Sequence, residues 1–457
     1  MVVAAKMIGG NDEGMDLIDV RSFLLLSYYS KRAYRFRIND WWRRMNKIII
    51  IGCSAAGLSA LENLRKYDKQ SEVLVLSKEG APYSRVLLPY ILRQKLPYEG
   101  LDICGPEYFT RYNAQFKQEN VVGVDPEKKT VTTDQATYPY DKLLIATGSY
   151  AVAPPIEGMK GDKVFHMWTR SDLDALLPYF ETSKKVCVIG SGFVALQAAW
   201  AARSRGLDVT VIELMDRIMP NVLDDEGAKI LSQKIRECGV ALYTGTSTQS
   251  IETLEDGSLV LHLKDKEDVP ADFVIVGTGV RPNVGFLEGS GIVTDRGIPV
   301  DGHMRTNVED VYASGDVAAG PTIFGDVHLI HALWPTAVEM GKVAGENMAG
   351  LSTVYEGSLN MNVTEMYGVT VASIGKFADQ EVDDFYLYPS EEYGYLKICC
   401  KDGRLIGGCL VGNSDAVEYL GKMRPLIRKG EAIDCRTQDV KDYINKEIFN
   451  QVWREGL

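Results

Sequence analysis

The chain has 457 residues, of which 46% are hydrophobic, and its formal net charge is -12. A chain of this length can form roughly two to four domains of ordinary size with a large buried core. The acidic balance does not favour the clustered positive field that phosphate groups require, so it argues against a nucleic-acid partner.

The eight cysteines are spread through the chain without the spacing of metal ligands. They include no C-x-x-C pair, and only Cys399 and Cys400 are neighbours in sequence. The five histidines are scattered as well, so the sequence predicts neither a metal site nor an iron-sulfur cluster within this chain. Single thiols in a chain that shows no secretory signal predict a reducing, cytoplasmic location.

Residues 1–45 are predicted to be an N-terminal extension without a packed role. Its apolar stretch FLLLSYY is too short to span a bilayer, so no transmembrane segment is expected. The following residues are rich in arginine and aromatic side chains, which leaves open an arm that binds a membrane surface or a partner. The segment MNKIIIIGCSAAG resembles a natural N-terminus, and this favours the first interpretation.

The first strand-turn-helix pattern is KIIIIGCSAAGLSALENLRKY. Its β-branched run predicts a buried strand, and helical apolar spacing follows the turn. Gly52 allows the tight turn, Ser54 replaces the usual second glycine, and Gly57 lets the helix pack closely on the strand. A pyrophosphate can therefore meet the free N–H groups at the start of the helix. The next strand ends where a ribose is expected, near Ser77, Lys78 and Glu79.

The same pattern recurs in KVCVIGSGFVALQAAWAARSRGLDVTVIE, which contains Gly190, Gly192 and a small Ala195 at the third position. The next strand ends in Glu213. A carboxylate there suits the free hydroxyls of an NAD ribose and repels the 2'-phosphate of NADP. The sequence therefore favours NADH over NADPH, with Arg217 close enough to weaken that preference.

Three further segments each place a buried strand before a glycine turn: YDKLLIATGS, ADFVIVGTGVRPN and VEDVYASGDVA. In this order with the two glycine loops, they resemble the FAD/NAD(P) reductases related to glutathione reductase, the pyridine nucleotide-disulfide oxidoreductase family. The resemblance covers residues 46 to about 350.

The resemblance implies an α/β fold with two Rossmann-like dinucleotide-binding domains and a C-terminal α+β interface domain. An FAD-binding domain (46–158 and 280–350) is expected to be interrupted by an NAD-binding domain (159–279). The interface domain with a helical tail then takes residues 351–457. A helix that begins near Pro335 is expected to aim its N-terminus at the flavin, where it would stabilise the negative charge of the reduced ring.

In this family the first dinucleotide site binds FAD and the second binds NAD(P)H. The resemblance therefore implies that Asp316 holds the ribityl chain of the flavin. The other FAD contacts that it implies are Gly52, Ser54, Ala55, Ala56, Gly57, Ser77, Lys78, Glu79, Arg85, Ala146, Thr147 and Gly148. The NAD contacts that the pattern and the resemblance indicate are Gly190, Gly192, Ala195, Glu213 and Gly279.

Two more residues are candidates for the nicotinamide site. Family members usually carry a glutamate where this chain has Gln197, which keeps the ability to form hydrogen bonds. Phe193 fits the position of a ring that shields the flavin until NADH arrives, and a core phenylalanine is the other interpretation. No side chain is expected to act as a chemical catalyst, because in this family the flavin carries the chemistry.

Residues 82–92 read PYSRVLLPYIL and contain no thiol. Several branches of the family carry a redox cysteine here, at the position of Val86 or Leu87. The segment is therefore expected to pack over the flavin ring without reacting. Arg85 would either reach the FAD phosphates or a partner, or lie at the surface. Electrons would leave directly from the flavin, as in rubredoxin reductases, the flavin portion of nitrite reductases and the FAD subunits of NAD-linked iron-sulfur dehydrogenases.

The C-terminal segment YGYLKICCKDGRLIGGCLVG predicts two strands joined by a hairpin turn at residues 401–403. The strand period places Cys399 and Cys400 on opposite faces, which argues against a joint redox role. The next predicted helix carries a local basic cluster: Lys422, Arg424, Arg428 and Lys429. This cluster either receives an acidic iron-sulfur protein or forms a solvated helix face.

The resemblance implies an FAD-dependent, NADH-linked oxidoreductase. Hydride transfer between nicotinamide and flavin would be followed by one-electron transfer to or from an iron-sulfur protein or partner subunit. A homo-oligomer or a hetero-oligomeric complex is expected. Two alternatives stay open: a peroxide-forming NADH oxidase, and an NADH-sensing or structural flavoprotein subunit.

Overall fold

The computed structural model describes residues 46–378, 382–387, 394–414, 417–430 and 432. The predicted N-terminal extension, residues 1–45, and the predicted helical tail lie outside these residues. The described residues from Lys47 onward form one compact unit.

Eight α-helices lie in the described residues, and side chains cap the first turns of two of them. Thr169 and Asp172 form a reciprocal capping box at the fourth helix, and Asp224 caps the sixth. The helices are α1 (Ala55–Tyr67), α2 (Leu88–Leu92), α3 (Tyr108–Arg111), α4 (Arg170–Thr182), α5 (Phe193–Ser204), α6 (Asp225–Glu237), α7 (Trp334–Met348) and α8 (Val417–Lys429). Short 3-10 turns occupy Arg85–Leu87, Tyr98–Leu101, Gly285–Leu287 and Gly315–Val317.

The strands of the described residues are short and alternate with these helices along most of the chain. In chain order they are β1 (Lys47–Ile51), β2 (Glu72–Ser77), β3 (Ala114–Gln118), β4 (Val121–Asp125), β5 (Thr130–Thr133), β6 (Thr137–Pro139), β7 (Lys142–Ile145), β8 (Ser149–Ala151), β9 (Val164–Phe165), β10 (Lys185–Ile189), β11 (Asp208–Ile212), β12 (Ala241–Tyr243), β13 (Thr248–Thr253), β14 (Leu259–Leu263), β15 (Val269–Ala271), β16 (Phe273–Val276), β17 (Val280–Pro282), β18 (Ile298–Pro299), β19 (Val311–Ala313), β20 (Ala318–Thr322), β21 (Gly325–Leu329), β22 (Met361–Met366), β23 (Val369–Gly375), β24 (Asp384–Leu387), β25 (Gly394–Lys401) and β26 (Arg404–Gly412).

The first large sheet has five parallel strands in the order β19-β7-β1-β2-β3. Its central strand is buried on both faces at Ile48, Ile49 and Ile50, as a parallel sheet between helices requires. The turn after β1 is tight, because Gly52 has a φ of 110° and a Cβ there would lie 2.1 Å from the carbonyl oxygen of Ala146. A side chain at this position would push the ends of β1 and β7 apart.

The second large sheet repeats this arrangement in the order β12-β11-β10-β16-β9, again with all strands parallel. Gly190 takes the place of the first glycine. Its φ is 103°, and a Cβ there would lie 2.5 Å from the carbonyl oxygen of Gly277. The two parallel sheets, each with a glycine turn that leads into a helix, confirm the predicted α/β fold with two Rossmann-like units.

Helices α1 and α7 cross at very close range on the first sheet. A Cβ on Gly341 would lie 2.3 Å from the carbonyl oxygen of Ala56, and one on Gly345 would lie 2.2 Å from that of Ala60. The two backbones therefore touch along one turn of each helix. This contact fixes the first turns of both helices relative to the strand ends.

The C-terminal sheet has five antiparallel strands in the order β22-β23-β26-β25-β24, and α8 packs on it. The predicted hairpin joins β25 to β26. Asp402 and Gly403 have φ values of 50° and 67°, as a two-residue type I' turn requires. Cys399 and Cys400 belong to different core clusters, which confirms that they face opposite sides of the strand.

Four smaller sheets complete the described part of the chain: β4-β5-β6, β8-β17, β13-β14-β15 and β18-β20-β21. Among the described residues, no helix is long and apolar enough to cross a bilayer.

Candidate functional site

A cleft of about 1040 Å³ opens at the carboxyl ends of the strands of the first sheet. This is where α/β folds bind their ligands. All but one of the predicted FAD contacts line it: Gly52, Ser54, Ala55, Ala56, Ser77, Lys78, Glu79, Arg85, Ala146, Thr147, Gly148 and Asp316. The two candidate nicotinamide-site residues, Phe193 and Gln197, line the same cleft. The fold thus brings both sets of residues to one space.

Gly57 is the predicted FAD contact that lies outside the lining of the cleft. A Cβ at Gly57 would lie 2.0 Å from the carbonyl oxygen of Gly52. The third glycine of the loop therefore allows α1 to approach the turn, as the sequence pattern predicted, and its own atoms lie beneath the cleft.

The first turn of α1 presents backbone N–H groups toward the cleft. Ser54 takes the N-cap position in an extended conformation, and its side chain forms no capping hydrogen bond. The next residues, Ala55 and Ala56, are small and line the cleft. An uncapped helix start without bulky side chains is suited to an anionic group such as a pyrophosphate.

Asp316 lies in the 3-10 turn that follows β19, opposite β8. Its Oδ2 accepts a hydrogen bond of 2.8 Å from the hydroxyl of Ser149. Burial raises the pKa of the Asp316 carboxyl, and the bond from Ser149 opposes that change. Sequence reasoning missed Ser149, although it directly follows the A-T-G turn.

Arg85 lies inside the mouth of the cleft. Its guanidinium forms an ion pair of 3.1 Å with Glu79 and donates a hydrogen bond of 3.0 Å to the carbonyl oxygen of Trp168. The same group lies over the rings of Tyr83 and Trp168, 5.7 and 5.8 Å from their centroids. Arg85 is therefore held by neighbours on several sides, unlike a freely solvated surface arginine.

The segment PYSRVLLPYIL forms a 3-10 turn and the short helix α2 at the edge of the cleft. Arg85, Val86, Pro89 and Tyr90 line the cleft, while Leu88 is buried in the core. The described residues of this segment contain no thiol, as the sequence requires.

One cysteine of the cleft was not singled out from the sequence. Cys53 lies between Gly52 and Ser54 in the first glycine loop and lines the cleft. Its thiol is buried, and burial raises its pKa to about 11. A thiol with this pKa is protonated at neutral pH and is a poor nucleophile. The signal that could have identified it is its position inside the glycine motif.

The predicted NAD contacts form a second group, outside the lining of the cleft. Gly192 is the N-cap of α5, and nothing lies within 4 Å of a Cβ built there. Gly279 has a φ of 110° and is equally open. Ala195 is buried beneath the loop, where a Cβ on Gly277 would lie 2.7 Å from its own. These residues form a second open glycine turn at the start of a helix.

Glu213 directly follows β11, and only 8% of it is exposed. Its Oε2 accepts a hydrogen bond of 2.5 Å from the hydroxyl of Ser191, and its Oε1 accepts one of 2.8 Å from the amide of Met215. Arg217 forms its ion pair with Asp225 instead. Hydrogen bonds from Ser191 and Met215 therefore hold the carboxylate beside the second glycine loop.

The first turns of α5 connect the second glycine loop to the cleft. Phe193 is partly buried at the start of this helix, and Gln197 lies one turn later. The Gln197 amide donates a hydrogen bond of 2.5 Å to the hydroxyl of Thr364 on β22. The candidate nicotinamide-site residues therefore lie between the second glycine loop and the C-terminal sheet.

The start of α7 reaches the cleft through Leu333, Trp334 and Ala337. The predicted basic cluster packs behind this helix. Arg424 and Arg428 both form ion pairs with Glu339 on α7. Arg424 and Arg428 therefore connect α8 to α7, and the docking of an iron-sulfur protein on the cluster stays a prediction.

The shape and the donor groups of the cleft fit FAD. Its volume suits a large cofactor, and the open position beside Gly148 leaves room for a close approach to the backbone. Helix-start amides for a pyrophosphate lie at one end, and the carboxylate of Asp316 lies deeper inside. Among the described residues, no group of three or more His, Cys, Asp or Glu side chains is arranged to hold a metal ion.

Comparisons with known proteins agree with this arrangement. Residues 46–341 match the family described as pyridine nucleotide-disulphide oxidoreductase. The epsilon subunit of NADH-dependent phenylglyoxylate dehydrogenase from Aromatoleum evansii is 28% identical, and the match covers 89% of this chain and 98% of that protein. An NADH oxidase from Methanocaldococcus jannaschii is 30% identical over 84% of this chain and 91% of its own length.

A nitrite reductase from Bacillus subtilis is 30% identical over 82% of this chain, but the match spans only 47% of that protein. Among solved structures, the NAD-dependent persulfide reductase from A. fulgidus has a TM-score of 0.80 and 28% identity. That match covers 85% of this chain and 78% of the other. Because the family match takes in more than half of the sequence, this chain belongs to the pyridine nucleotide-disulphide oxidoreductases, and its cofactors are FAD and NAD(H).

Proposed function

We propose that this oxidoreductase passes electrons between NAD(H) and an iron-sulfur protein or partner subunit, with FAD as the intermediate carrier. The observation that carries the proposal is the lining of the cleft. The FAD residues and the candidate nicotinamide-site residues, Phe193 and Gln197, share it, while the segment at its edge, residues 82–92, holds no thiol. Electrons then have to leave without a cysteine relay.

The state of Cys53 supports a route without a thiol. It is the thiol of the described residues that lines the cleft, and its pKa of about 11 keeps it protonated at neutral pH. A thiol that accepts electrons from a flavin needs ready access to its thiolate form. Cys53 lacks this property, so we assign it a packing role in the loop.

The residues of the cleft would hold FAD in two places. The amides of Ala55 and Ala56 face the position of the pyrophosphate, and the carboxylate of Asp316 would accept a hydrogen bond from the ribityl chain. Bound FAD supplies hydride acceptance and one-electron transfer. The role of the protein is to orient the reactants. The first turn of α7 adds the positive potential of its helix dipole at one wall of the cleft.

The nicotinamide dinucleotide would extend from the second glycine loop toward the cleft. Gly192 and Gly279 leave the backbone of this loop open, Gly190 allows its tight turn, and Glu213 would accept hydrogen bonds from the adenosine ribose. Its uncompensated charge would repel the additional phosphate of NADPH, so we propose NADH as the preferred donor.

The relative from Aromatoleum evansii supports an assignment as one subunit of a larger dehydrogenase, since it is named as such and matches over nearly its full length. We therefore propose a partner chain that carries the iron-sulfur cluster.

We also propose that the domains have the boundaries that the sequence predicts. Cys53, Cys104, Cys187, Cys238 and Cys409 are free of disulfide bonds, which supports a reducing cytoplasm.

The first experiment is anaerobic stopped-flow absorbance of the FAD-loaded protein mixed with NADH or NADPH. Rapid bleaching of the flavin band with NADH, and much slower bleaching with NADPH, is the expected result. No bleaching with either nucleotide would reject the reductase function and leave the sensing or structural alternative.

A second candidate function is a peroxide-forming NADH oxidase. The relative from Methanocaldococcus jannaschii supports an oxidase, because that protein is named an NADH oxidase. Steady-state turnover separates the two functions. Fast turnover with an artificial one-electron acceptor and slow turnover with oxygen would support the electron-transfer function. Oxygen turnover that equals the rate of flavin reduction, with release of peroxide, would support the oxidase.

A further inference from the structure

Ser191 lies between the two glycines of the second loop and is almost fully buried, with 1% exposed. The glycine pattern itself assigns no function to this middle position. Its hydroxyl nevertheless takes part in two contacts: it donates to Oε2 of Glu213 at 2.5 Å and accepts from the amide of Met219 at 3.3 Å. Ser191 thus connects the turn after β10 to the loop after β11.

The second oxygen of Glu213 is held by its own loop through the amide of Met215 at 2.8 Å. Each carboxylate oxygen has more than one acceptor direction, so both can still accept a hydrogen bond from a ligand. The two donors therefore fix the position of the carboxylate, and both of its oxygens can still accept a further hydrogen bond.

No cation neutralises this charge within the part of the chain that the structure describes. Arg217, the nearest basic residue in sequence, forms an ion pair with Asp225 and donates to the carbonyl oxygen of Pro220. Among the described residues, hydrogen bonds rather than an ion pair therefore hold the carboxylate of Glu213.

We propose that Ser191 is a positioning residue for nucleotide specificity. Its hydroxyl fixes the carboxylate of Glu213 where it accepts hydrogen bonds from the NAD ribose and repels a 2'-phosphate. Without the hydroxyl, Oε2 loses its buried donor and the side chain turns toward water. The protein then loses part of its affinity for NAD and most of its discrimination against NADP. This inference rests on the proposed function, which places the adenosine ribose at Glu213.

The test is isothermal titration calorimetry of NAD+ and NADP+ binding to the FAD-loaded protein. In Ser191→Ala, the Kd for NAD+ is expected to rise about tenfold, the loss typical of one hydrogen bond to a charged group. The Kd for NADP+ is expected to stay constant or fall. Ser191→Gly, which removes the Cβ together with the hydroxyl, should give the same ratio. Ser204→Ala, at the end of α5, is the matched control and should bind both nucleotides as the wild type does.

A double variant separates positioning from general loop damage. If Ser191 acts through Glu213, then Ser191→Ala should change neither Kd further in a Glu213→Ala background. A further change there would overturn the proposal, as would equal factors for NAD+ and NADP+ in the single variant.

Failure of this inference is distinguishable from failure of the proposed function. If NADH reduces the flavin of the wild-type protein but Ser191→Ala leaves the ratio of the Kd values for NAD+ and NADP+ unchanged, the inference alone is rejected. Wild-type protein that binds neither nucleotide would reject both.

Discussion

The crossing of α1 and α7 gives the sharpest stability prediction, because the two backbones touch. We consider Gly341→Ala, which places a methyl group 2.3 Å from the carbonyl oxygen of Ala56. An ordinary contact of this kind needs more than 3.4 Å, so the helices must separate by about 1 Å or bend. Overpacking of this size costs about 1–3 kcal/mol.

The same substitution has an opposite local effect, since alanine favours a helix over glycine by up to about 1 kcal/mol. With the full offset, the net expectation is a loss of about 0–2 kcal/mol in the free energy of unfolding. Gly421→Ala on α8 is the matched control. Nothing lies within 4 Å of a Cβ there, so it should gain about 0.4–1 kcal/mol.

The assay is urea unfolding followed by intrinsic fluorescence, together with the FAD content of the purified protein. The first turns of α1 and α7 both line the cleft, so Gly341→Ala should also retain less FAD than the control. If Gly341→Ala unfolds at the same urea concentration as Gly421→Ala, or at a higher one, the backbone contact does not limit packing and the reasoning is wrong.

Three other changes test separate features. Lys397 is 2% exposed and pairs with Asp224 at 3.1 Å, so Lys397→Met should lower the free energy of unfolding by about 3–5 kcal/mol, and an unchanged urea midpoint would contradict this. The buried thiol of Cys53, with its pKa raised to about 11, should react with iodoacetamide at pH 8 far more slowly than the exposed Cys238, and equal rates would exclude its burial. Hydrogen bonds that the His262 ring donates to the carboxylates of Glu252 and Asp268 raise its pKa, so its contribution to stability should be complete below the usual value of 6.5 and disappear as the pH rises through the folded-state value. The difference in urea midpoint between wild type and His262→Ala should therefore shrink from pH 6 to pH 9, and a constant difference would refute the charged pair.

Local sequence patterns predicted the parts of the fold whose causes are local. The glycine turns at Gly52 and Gly190 follow from a strand, a forced positive φ and a helix in immediate succession. The hairpin at residues 401–403 follows from its turn chemistry in the same way. Asp316 was assigned by resemblance to a family pattern, and it lies in the expected cleft.

The contacts between distant elements could not be predicted. Arg424 and Glu339 are 85 residues apart, and only the packing of α8 behind α7 brings them together. A basic cluster has the same sequence signal whether its partners are water, another protein or a carboxylate of its own chain. The sequence likewise could not predict the burial of Cys53, because a thiol in a glycine loop can face the ligand or the core.

The two glycine loops belong to the same kind of strand-turn-helix unit, but the acidic residue near each loop has different partners. Cys53 and Ser191 occupy the same position of the motif, and both approach the loop after the next strand. The thiol is a weak donor that lies 3.8 Å from the carbonyl oxygen of Gly80, and the nearby Glu79 pairs with Arg85 at 3.1 Å. The hydroxyl of Ser191 instead holds its carboxylate directly, without a cation. The acid is thus paired with an arginine at the site assigned to FAD and held by hydrogen bonds at the site assigned to NAD(H), where we propose that it repels a 2'-phosphate.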